Sequence, residues 1–402
     1  MMFLRACYRV FQAVFNLGAR VLPWRKAEKI SGAGAVRQIP ELLERSGVGK
    51  PMVVTDRGLI EAGVANHVLG VLYEADVDYE LFSDVKPNPT VEVVEAIVKQ
   101  YREAACDGFI AIGGGSPMDA AKAAAARIVR PRMSTQKLGG LLRVLHRIPP
   151  FIAVPTTAGT GSETTIAALI TDEATHHKYA MMDLSLIPRY AVLDPELTVG
   201  LPPHITATTG MDALTHAVEA YLCWTYNTAE SKRFAKEAVA TIFATLERAY
   251  RDGSDLEARE AMLEASYKAG FAFTRAGVGN VHAIAHTLGG LYDTPHGLAN
   301  AVILPIVLRD YGTAVHPKLA ELARVAGLAD AGATDAENAE RFISAIEALN
   351  KSMGIPRGFD HIREGDIEQM TTWALAEANP LYPVPVLYDR ARVRHVIEKV
   401  RV

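Results

Sequence analysis

Short β-type segments alternate with helical segments from residue 51 to residue 195, and this alternation constrains the fold more than any other feature. Residues 52–55, 109–112 and 151–154 are apolar runs typical of buried strands. Helical stretches are predicted between them, over residues 59–75, over residues 91–105 and from Pro117 onward. Strands that alternate with helices form a mostly parallel sheet covered by helices. We therefore predict an α/β domain with a mostly parallel, Rossmann-like sheet over residues 29–200.

Helical periodicity replaces this alternation after Leu201-Pro202-Pro203. Helices are predicted over residues 209–222, 229–250, 256–273, 283–291, 298–311 and 336–353. Runs of β-branched residues become scarce in the same region. The second half, residues 201–402, is therefore predicted to be an all-α domain.

Composition and charge exclude several classes of protein. The chain has 402 residues, of which 49% are hydrophobic and 22% charged, so it has too much apolar content for a disordered protein. Lys and Arg number 42 against 46 Asp and Glu, which argues against a nucleic-acid partner. Cys7, Cys106 and Cys223 are widely spaced and odd in number, which indicates a reducing compartment without disulfides. A cytoplasmic location is the corresponding expectation.

Residues 1–28 form an extension with its own pattern. Over residues 1–23, apolar residues recur at helical spacing and three arginines lie among them, and no acidic residue precedes Glu28. The uncharged run over residues 10–19 is shorter than the roughly 20 residues of a membrane span. The favoured interpretation is an amphipathic helix packed on its own protein or on a partner subunit. The weaker alternative is peripheral membrane contact through residues 1–23, which has the same basic amphipathic pattern.

Two turns that follow predicted strands have the residues of a phosphate-binding site. Gly113-Gly114-Gly115-Ser116 joins a strand to a helix, where glycines let the backbone and its free N–H groups approach a pyrophosphate. Residues 156–162 follow the next strand and add hydroxyl groups at the same sheet edge. The pattern is not GxGxxG, and a purely structural turn is the alternative. Together, the two turns favour a nucleotide site.

Asp56 ends the first predicted strand. A carboxylate there accepts hydrogen bonds from an adenosine ribose and repels a 2′-phosphate, which favours NAD over NADP. The alternative is a helix N-cap, a role that aspartate often fills.

Acidic and histidine side chains cluster in the helical half. Asp212 and His216 are four residues apart on one predicted helical face, and His282 and His286 repeat that spacing. His296 follows between a proline and a glycine. One carboxylate with two or three imidazoles suits a divalent ion such as Fe²⁺ or Zn²⁺. The sequence therefore predicts a metal site in the second domain.

These motifs resemble the iron-containing (group III) alcohol dehydrogenase family, which has a dehydroquinate synthase-like fold. The resemblance runs from about Lys29 to the end of the sequence. It rests on GGGSPMD at 113–119, PTTAGTGSE at 155–163, GMDALTHA at 210–217, HAIAH at 282–286 and PHG at 295–297.

The resemblance implies roles for particular residues. The metal ligands fall on Asp212, His216, His282 and His296. His286 matches a histidine beside the metal, with proton relay or substrate orientation as its role and structural support as the alternative. The cofactor positions fall on Asp56, Asn88, Gly114, Gly115, Ser116, Asp119, Thr156, Thr157, Thr165 and Lys178.

The implied activity is reversible hydride transfer between a nicotinamide and a small primary alcohol, diol or hydroxy acid. NAD is expected in preference to NADP, and the metal, Fe²⁺ with Zn²⁺ as an open alternative, is expected to act as a Lewis acid on the substrate oxygen. A homodimer or larger homo-oligomer is expected. The alternatives are a dehydroquinate synthase-like lyase that uses NAD and a metal, and a non-catalytic homologue that binds nucleotide or metal.

Overall fold

The computed structural model describes residues 2–173 and 177–402; the side chains of Met2, His177 and Lys178 lie outside this description. The chain forms two units. The first comprises residues 23–201 and 253–267, and the second comprises residues 2–22, 202–252 and 268–402. Residues 253–267, which the sequence placed in the helical half, therefore belong to the first unit.

The first unit contains all the strands found among the described residues. These are β1 (Glu28–Ser31), β2 (Pro51–Val54), β3 (Glu80–Phe82), β4 (Gly108–Gly113), β5 (Gly140–Leu141), β6 (Phe151–Pro155), β7 (Ala167–Asp172), β8 (His177–Met182) and β9 (Tyr190–Leu193). Six of them form a parallel sheet in the order β1-β9-β6-β4-β2-β3. The other three form a small sheet, in which β7 and β8 are antiparallel. The sequence did not predict this hairpin.

The helices lie in both units. They are α1 (Met2–Arg20), α2 (Ile39–Ser46), α3 (Arg57–Glu61), α4 (Val64–Glu74), α5 (Val91–Glu103), α6 (Gly115–Val129), α7 (Thr135–Leu138), α8 (Pro203–Leu222), α9 (Ala229–Arg251), α10 (Leu256–Ala276), α11 (Asn280–Tyr292), α12 (His296–Tyr311), α13 (His316–Val325), α14 (Asp335–Ser352), α15 (Ile367–Ala378) and α16 (Arg390–Val400). The prediction of one helix over residues 59–75 is wrong. Gly63, with φ of 76°, divides that stretch into α3 and α4 because a left-handed residue cannot continue a helix.

The centre of the parallel sheet is buried on both faces, as its strand sequences require. Every residue of β2, β4 and β6 is buried. Alternate side chains enter two separate apolar clusters, so that Phe109 packs on one face of the sheet and Ile110 on the other. A strand covered on both faces shows a continuous apolar run, which is why the sequence identified these three strands.

Helices and the loops that join them make up the second unit over its described residues. Its central element is α8, which is buried from Gly210 to Leu222 and which packs against α9 and α12. The predicted fold class, an α/β part followed by an all-α part, is confirmed. No helix among the described residues has both the length and the apolar character needed to cross a bilayer.

Candidate functional site

Three helices of the second unit bring the four predicted metal ligands together. Asp212 and His216 lie on the same face of α8, one turn apart. His282 lies in the first turn of α11, and His296 is the first residue of α12. One ligand atom from each residue lies within 4.8 Å of all the others. Helical spacing accounts for the Asp212–His216 pair, and the packing of three helices brings His282 and His296 to it.

The distances and burial of these groups fit a divalent metal. The Asp212 carboxylate lies 3.9 Å from His216 Nδ1, 4.0 Å from His282 Nε2 and 3.5 Å from His296 Nε2. Ligands bound at 2.0–2.2 Å in a tetrahedron stand about 3.4 Å apart, so these separations need only a small contraction around an ion. Asp212, His216 and His282 are buried, and His296 is half-buried. A donor set of one carboxylate and three imidazoles suits Fe²⁺ and Zn²⁺.

His282 is held in the tautomer that a metal ligand needs. Its Nδ1–H donates to Glu219 Oε2 at 2.6 Å, which leaves the lone pair of Nε2 on the side of Asp212. Burial and the neighbouring His216 and His296 hold the pKa of His282 well below its ordinary value. The ring is therefore neutral at physiological pH.

Glu219 was not predicted as part of the site. Besides His282, it accepts hydrogen bonds from the backbone N–H groups of Gly279 and Val281, each at 2.8 Å. A carboxylate with three donors orients the imidazole and the start of α11 together. The sequence held a signal, because Glu219 lies three residues after His216 within an otherwise apolar stretch of α8.

Asn300 is a second residue that the sequence did not indicate. Its amide nitrogen lies 2.7 Å from Asp212 Oδ1 and 3.1 Å from the Nε2 atoms of both His282 and His296. These are atoms of the candidate ligand set, so the amide hydrogen-bonds to the lone pairs that a metal would take. Asn300 lies four residues after His296 on α12 and is fully buried. The four-residue spacing between His296 and Asn300 was the sequence pattern that could have indicated Asn300.

His286 lies beside the ligand cluster and belongs to a hydrogen-bond chain of its own. Its ring stacks on His296, with 5.1 Å between centroids. His286 Nδ1–H donates to Glu377 Oε1 at 2.6 Å, and the Tyr382 hydroxyl donates to the same oxygen at 2.6 Å. Glu377 is 91 residues from His286, so no local sequence pattern could predict the contact.

In the first unit, the predicted nucleotide-binding residues gather at one edge of the parallel sheet. Strand β4 lies between β2 and β6. Asp56 follows β2, Gly114 follows β4 and Thr156 follows β6. The carboxyl ends of parallel strands meet at the same edge, so these residues are neighbours.

Glycine is required where β4 meets α6. Gly113 has φ of 146°, and a Cβ there would lie 2.6 Å from Pro117 Cγ. A Cβ on Gly114 would lie 3.2 Å from Thr157 Oγ1, so a side chain at Gly114 would crowd the second turn. Gly114 is the N-cap of α6, while Gly115 and Ser116 are in its first turn. Their N–H groups are at a helix start, the usual position for binding an anion.

Two other predicted cofactor residues lie in loops at strand ends. Asp56 Oδ1 accepts a hydrogen bond from Leu59 N–H at 2.9 Å and so caps α3, the alternative role foreseen for it. Its second oxygen, Oδ2, takes no part in this cap. Asn88 follows β3 with φ of 55°, a conformation that asparagine tolerates better than most residues.

Asp119 and Thr165 form internal hydrogen bonds that hold the loop after β6. Asp119 accepts from Ser162 Oγ at 2.9 Å and from Leu169 N–H at 3.1 Å. Thr165 Oγ1 accepts from the Lys122 ammonium at 2.9 Å. Their predicted role in cofactor binding stays a prediction, and these contacts favour support of the turn over direct contact.

Lys122 is a buried cation that the sequence did not single out. It also donates to the carbonyl oxygens of Ser162, Thr165 and Ala167, and burial lowers its pKa to about 8. A lysine within the alanine run 120–126 was the available signal. The predicted cofactor residue Lys178 lies in β8, but its side chain is outside the described residues.

Comparison with known families covers both units. Residues 27–195 match the family described as "Iron-containing alcohol dehydrogenase". Residues 206–400 match "Fe-containing alcohol dehydrogenase family, C-terminal". The chain belongs to the iron-containing alcohol dehydrogenase family. This membership confirms the predicted class, a metal-dependent oxidoreductase that acts on CH–OH groups.

Individual members of the family are similar to the chain over most of its length. It is 38% identical to the NAD-dependent methanol dehydrogenase of Bacillus methanolicus, over 84% of this chain and 89% of that protein. It is also 38% identical to the 1,3-propanediol dehydrogenase of Klebsiella pneumoniae, over 87% and 90%. A crystal structure of 1,3-propanediol oxidoreductase superposes with a TM-score of 0.91 at 34% identity, covering 94% and 100%. The predicted NAD agrees with the NAD-dependent methanol dehydrogenase, and the predicted iron agrees with the family.

Proposed function

We propose that the chain catalyses reversible hydride transfer between NAD and a small primary alcohol, diol or hydroxy acid. The observation that carries the proposal is the convergence of Asp212, His216, His282 and His296 within 4.8 Å. These four residues would hold the metal, Fe²⁺ or Zn²⁺. When bound there, the ion supplies Lewis acidity to a substrate oxygen.

The chain's own residues prepare this site in three ways. Glu219 fixes the His282 tautomer. Burial of Asp212 and His282 keeps bulk water from the ligand atoms and strengthens the interactions of the carboxylate. One carboxylate and three neutral imidazoles leave a net positive charge on a divalent site, which favours the deprotonated form of an alcohol.

His286 is positioned to carry a proton. Glu377 accepts from His286 Nδ1–H, so the free electron pair of the neutral ring is on Nε2, which takes a proton as the alcohol is oxidised. Burial and the Glu377 carboxylate raise the pKa of the Tyr382 hydroxyl well above its ordinary value. Tyr382 therefore stays a hydrogen-bond donor and holds Glu377 in place.

The nucleotide is proposed to bind at the edge formed by Asp56, the β4–α6 turn and the Thr156-Thr157 turn. The backbone N–H groups of Gly115 and Ser116 would hold the pyrophosphate, and Asp56 Oδ2 the adenosine ribose. The negative charge of Asp56 supports NAD rather than NADP. Asn88, Asp119, Thr165 and Lys178 complete the proposed set, with Asp119 and Thr165 acting through the loop that they hold.

A substrate panel with ligand variants tests the proposal. The protein is reconstituted with Fe²⁺ or Zn²⁺ without oxygen, and formation of reduced nicotinamide is followed with NAD⁺ and primary alcohols, diols and hydroxy acids. Asp212→Ala and His282→Ala should lose bound metal and turnover together. His395→Ala, at an exposed histidine on α16, should keep both. Full turnover in metal-free His282→Ala would contradict the assignment. Metal and NAD binding without oxidation of any alcohol would favour a lyase or a non-catalytic homologue.

A homo-oligomeric state and a cytoplasmic location are also proposed. They are supported by the sequence arguments given above, namely the family resemblance and the unpaired cysteines. Light scattering of the purified protein measures the first, and cell fractionation the second.

A further inference from the structure

The first helix, α1, turns its polar side toward its own unit. Gln12 is fully buried, and its amide nitrogen donates to the carbonyl oxygens of Pro380 at 2.8 Å and Tyr382 at 2.7 Å. Its amide oxygen accepts from Trp224 Nε1 at 2.6 Å. Asn16, one turn further on, donates to Thr225 O at 2.9 Å. These bonds act together with an aromatic contact between Phe15 and Tyr226, whose ring centres are 5.4 Å apart.

Two arginines on the same side fix the rotation of α1. The Arg9 guanidinium donates to Val384 O at 2.8 Å and lies 4.9 Å from the centre of the Trp224 ring. Arg5 forms an ion pair with Asp389 at 2.9 Å. With Gln12 and Asn16, these contacts recur at helical spacing from residue 5 to residue 16, so the helix cannot turn without breaking several of them.

The opposite side of α1 is apolar and exposed. We call it the outer face; it consists of Phe3, Leu4, Val10, Phe11, Val14 and Leu17. Val10, Val14 and Leu17 are 63%, 66% and 68% exposed, and their spacing of four and three residues places them in one stripe. An amphipathic helix normally buries such a stripe. Here the polar side is used for docking, and the apolar side is left for something outside the chain.

The charge of α1 indicates what kind of surface covers the outer face. Arg5 and Arg9 are engaged on the docking side, whereas Arg20 is exposed at the end of α1, and α1 contains no acidic residue. An anionic surface complements this segment. A second copy of the outer face offers no acidic residue to pair with Arg20.

We propose that the outer face of α1 binds the interface of an anionic lipid bilayer. The helix, about 28 Å long, lies in the plane of the membrane with Val10, Val14 and Leu17 at the acyl boundary. Arg20, which is exposed at the end of α1, contacts lipid phosphates. The enzyme is then a peripheral membrane protein attached through one helix.

Flotation with lipid vesicles tests this proposal on the full chain. Wild-type protein should float with vesicles of phosphatidylglycerol and phosphatidylcholine, and much less with phosphatidylcholine alone, and added salt should weaken the binding. The triple variant Val10→Ser, Val14→Ser, Leu17→Ser should bind at least about tenfold more weakly. Serine and valine have similar helix propensities, so α1 persists. Arg20→Glu should weaken binding to the anionic vesicles only.

Tyr73→Ser is the matched control, because Tyr73 is 83% exposed on α4, outside the helical unit. It should bind vesicles as the wild type does, and all these variants should keep wild-type turnover of a soluble alcohol. Absence of wild-type flotation would overturn the proposal, as would equal flotation of the triple variant or equal binding to neutral vesicles. If the wild type does not float, and light scattering gives the triple variant a lower molar mass than the wild type, the outer face binds a second copy instead.

Discussion

Asn300 connects the candidate metal ligands to one another through its amide group. Its Nδ2 contacts Asp212, His282 and His296, while no hydrogen-bond partner for its Oδ1 lies among the described residues. Three acceptors that face a common point repel one another unless a donor or a cation lies between them. Asn300 therefore supplies, in the metal-free protein, part of the stabilisation that an ion supplies when bound.

Asn300→Ala should consequently cost more stability without metal than with it. We expect the free energy of unfolding to fall by about 2 kcal/mol in chelator, because buried acceptors lose their donor, and by less after Fe²⁺ or Zn²⁺ is added. Denaturant unfolding in both conditions measures the difference. Asn350→Ala is the control: its amide donates to Ala301 O at 2.7 Å, so its cost should not depend on metal. Equal losses for Asn300→Ala in both conditions would contradict this role.

The buried carboxyl group of Glu163 should make the free energy of unfolding depend on pH. Burial raises its pKa to about 7, from an ordinary value of 4.5. The folded state thus binds the proton more tightly than the unfolded state, so this contribution is complete below pH 4.5 and is lost as the pH rises through 7. The loss amounts to at most about 3 kcal/mol.

Glu163→Gln should remove this decline, so that the variant gains stability relative to the wild type as the pH rises from about 4.5 to 7. Urea unfolding across that range measures the gain. Glu196→Gln, at an exposed position in the same unit, controls for the loss of one charge. A stability difference between Glu163→Gln and wild type that does not change with pH would show that the carboxyl does not titrate in this way.

At the scale of elements, the metal site depends on the close approach of α12 to α8. A Cβ on Gly297 would lie 2.3 Å from the carbonyl oxygen of Thr208 and 3.3 Å from Asp212 Cβ. Only glycine allows the two helices to approach at this point, one residue after the ligand His296. The Pro-His-Gly motif therefore supplies a ligand, His296, and a glycine, Gly297, that allows α12 to pack closely on α8.

Gly297→Ala should separate the two helices and spread the ligands. We expect metal affinity to fall by about tenfold or more and the free energy of unfolding by about 1–3 kcal/mol. Metal titration by calorimetry and denaturant unfolding provide the two measurements. Gly290→Ala is the matched control, since the nearest atom to its Cβ would be 3.8 Å away on Trp373. Wild-type metal affinity in Gly297→Ala would rule out the packing argument.

Local patterns predicted the elements and ligands that depend on neighbours in sequence. Asp212 and His216 share one helical turn, and β4 shows a continuous apolar run, so both were recognisable. Glu377 was not, because its contact with His286 arises only from packing α11 against α15. The β7–β8 hairpin was missed as well, since β7 is only partly buried and lacks the continuous apolar run of β4.

At the scale of the whole molecule, the two proposed cofactors belong to different units. The four ligand residues lie in the helical unit, whereas the nucleotide residues lie within 23–201. A ligand that binds only the folded state at 100 times its Kd stabilises it by about 2.7 kcal/mol. Each cofactor should therefore protect its own unit first.

Hydrogen exchange with mass spectrometry measures this separation. Removal of metal by a chelator should increase exchange in α8, α11 and the start of α12. NAD added to the metal-free protein should slow exchange at the β4–α6 turn. Protection by NAD limited to α8 and α11 would show that the nucleotide site has been placed in the wrong unit.

The contacts that dock α1 are made mainly to backbone carbonyl oxygens. Pro380, Tyr382, Val384 and Thr225 accept through their main chain. Most of what α1 recognises is thus the path of the chain, with Trp224 and Asp389 as side chains that it also contacts. Positions of the receiving segments that contribute only a carbonyl oxygen can change more readily in evolution than Arg9 and Gln12, which donate through their side chains. Homologues that possess such a helix should therefore vary more on the receiving side than on the donating side.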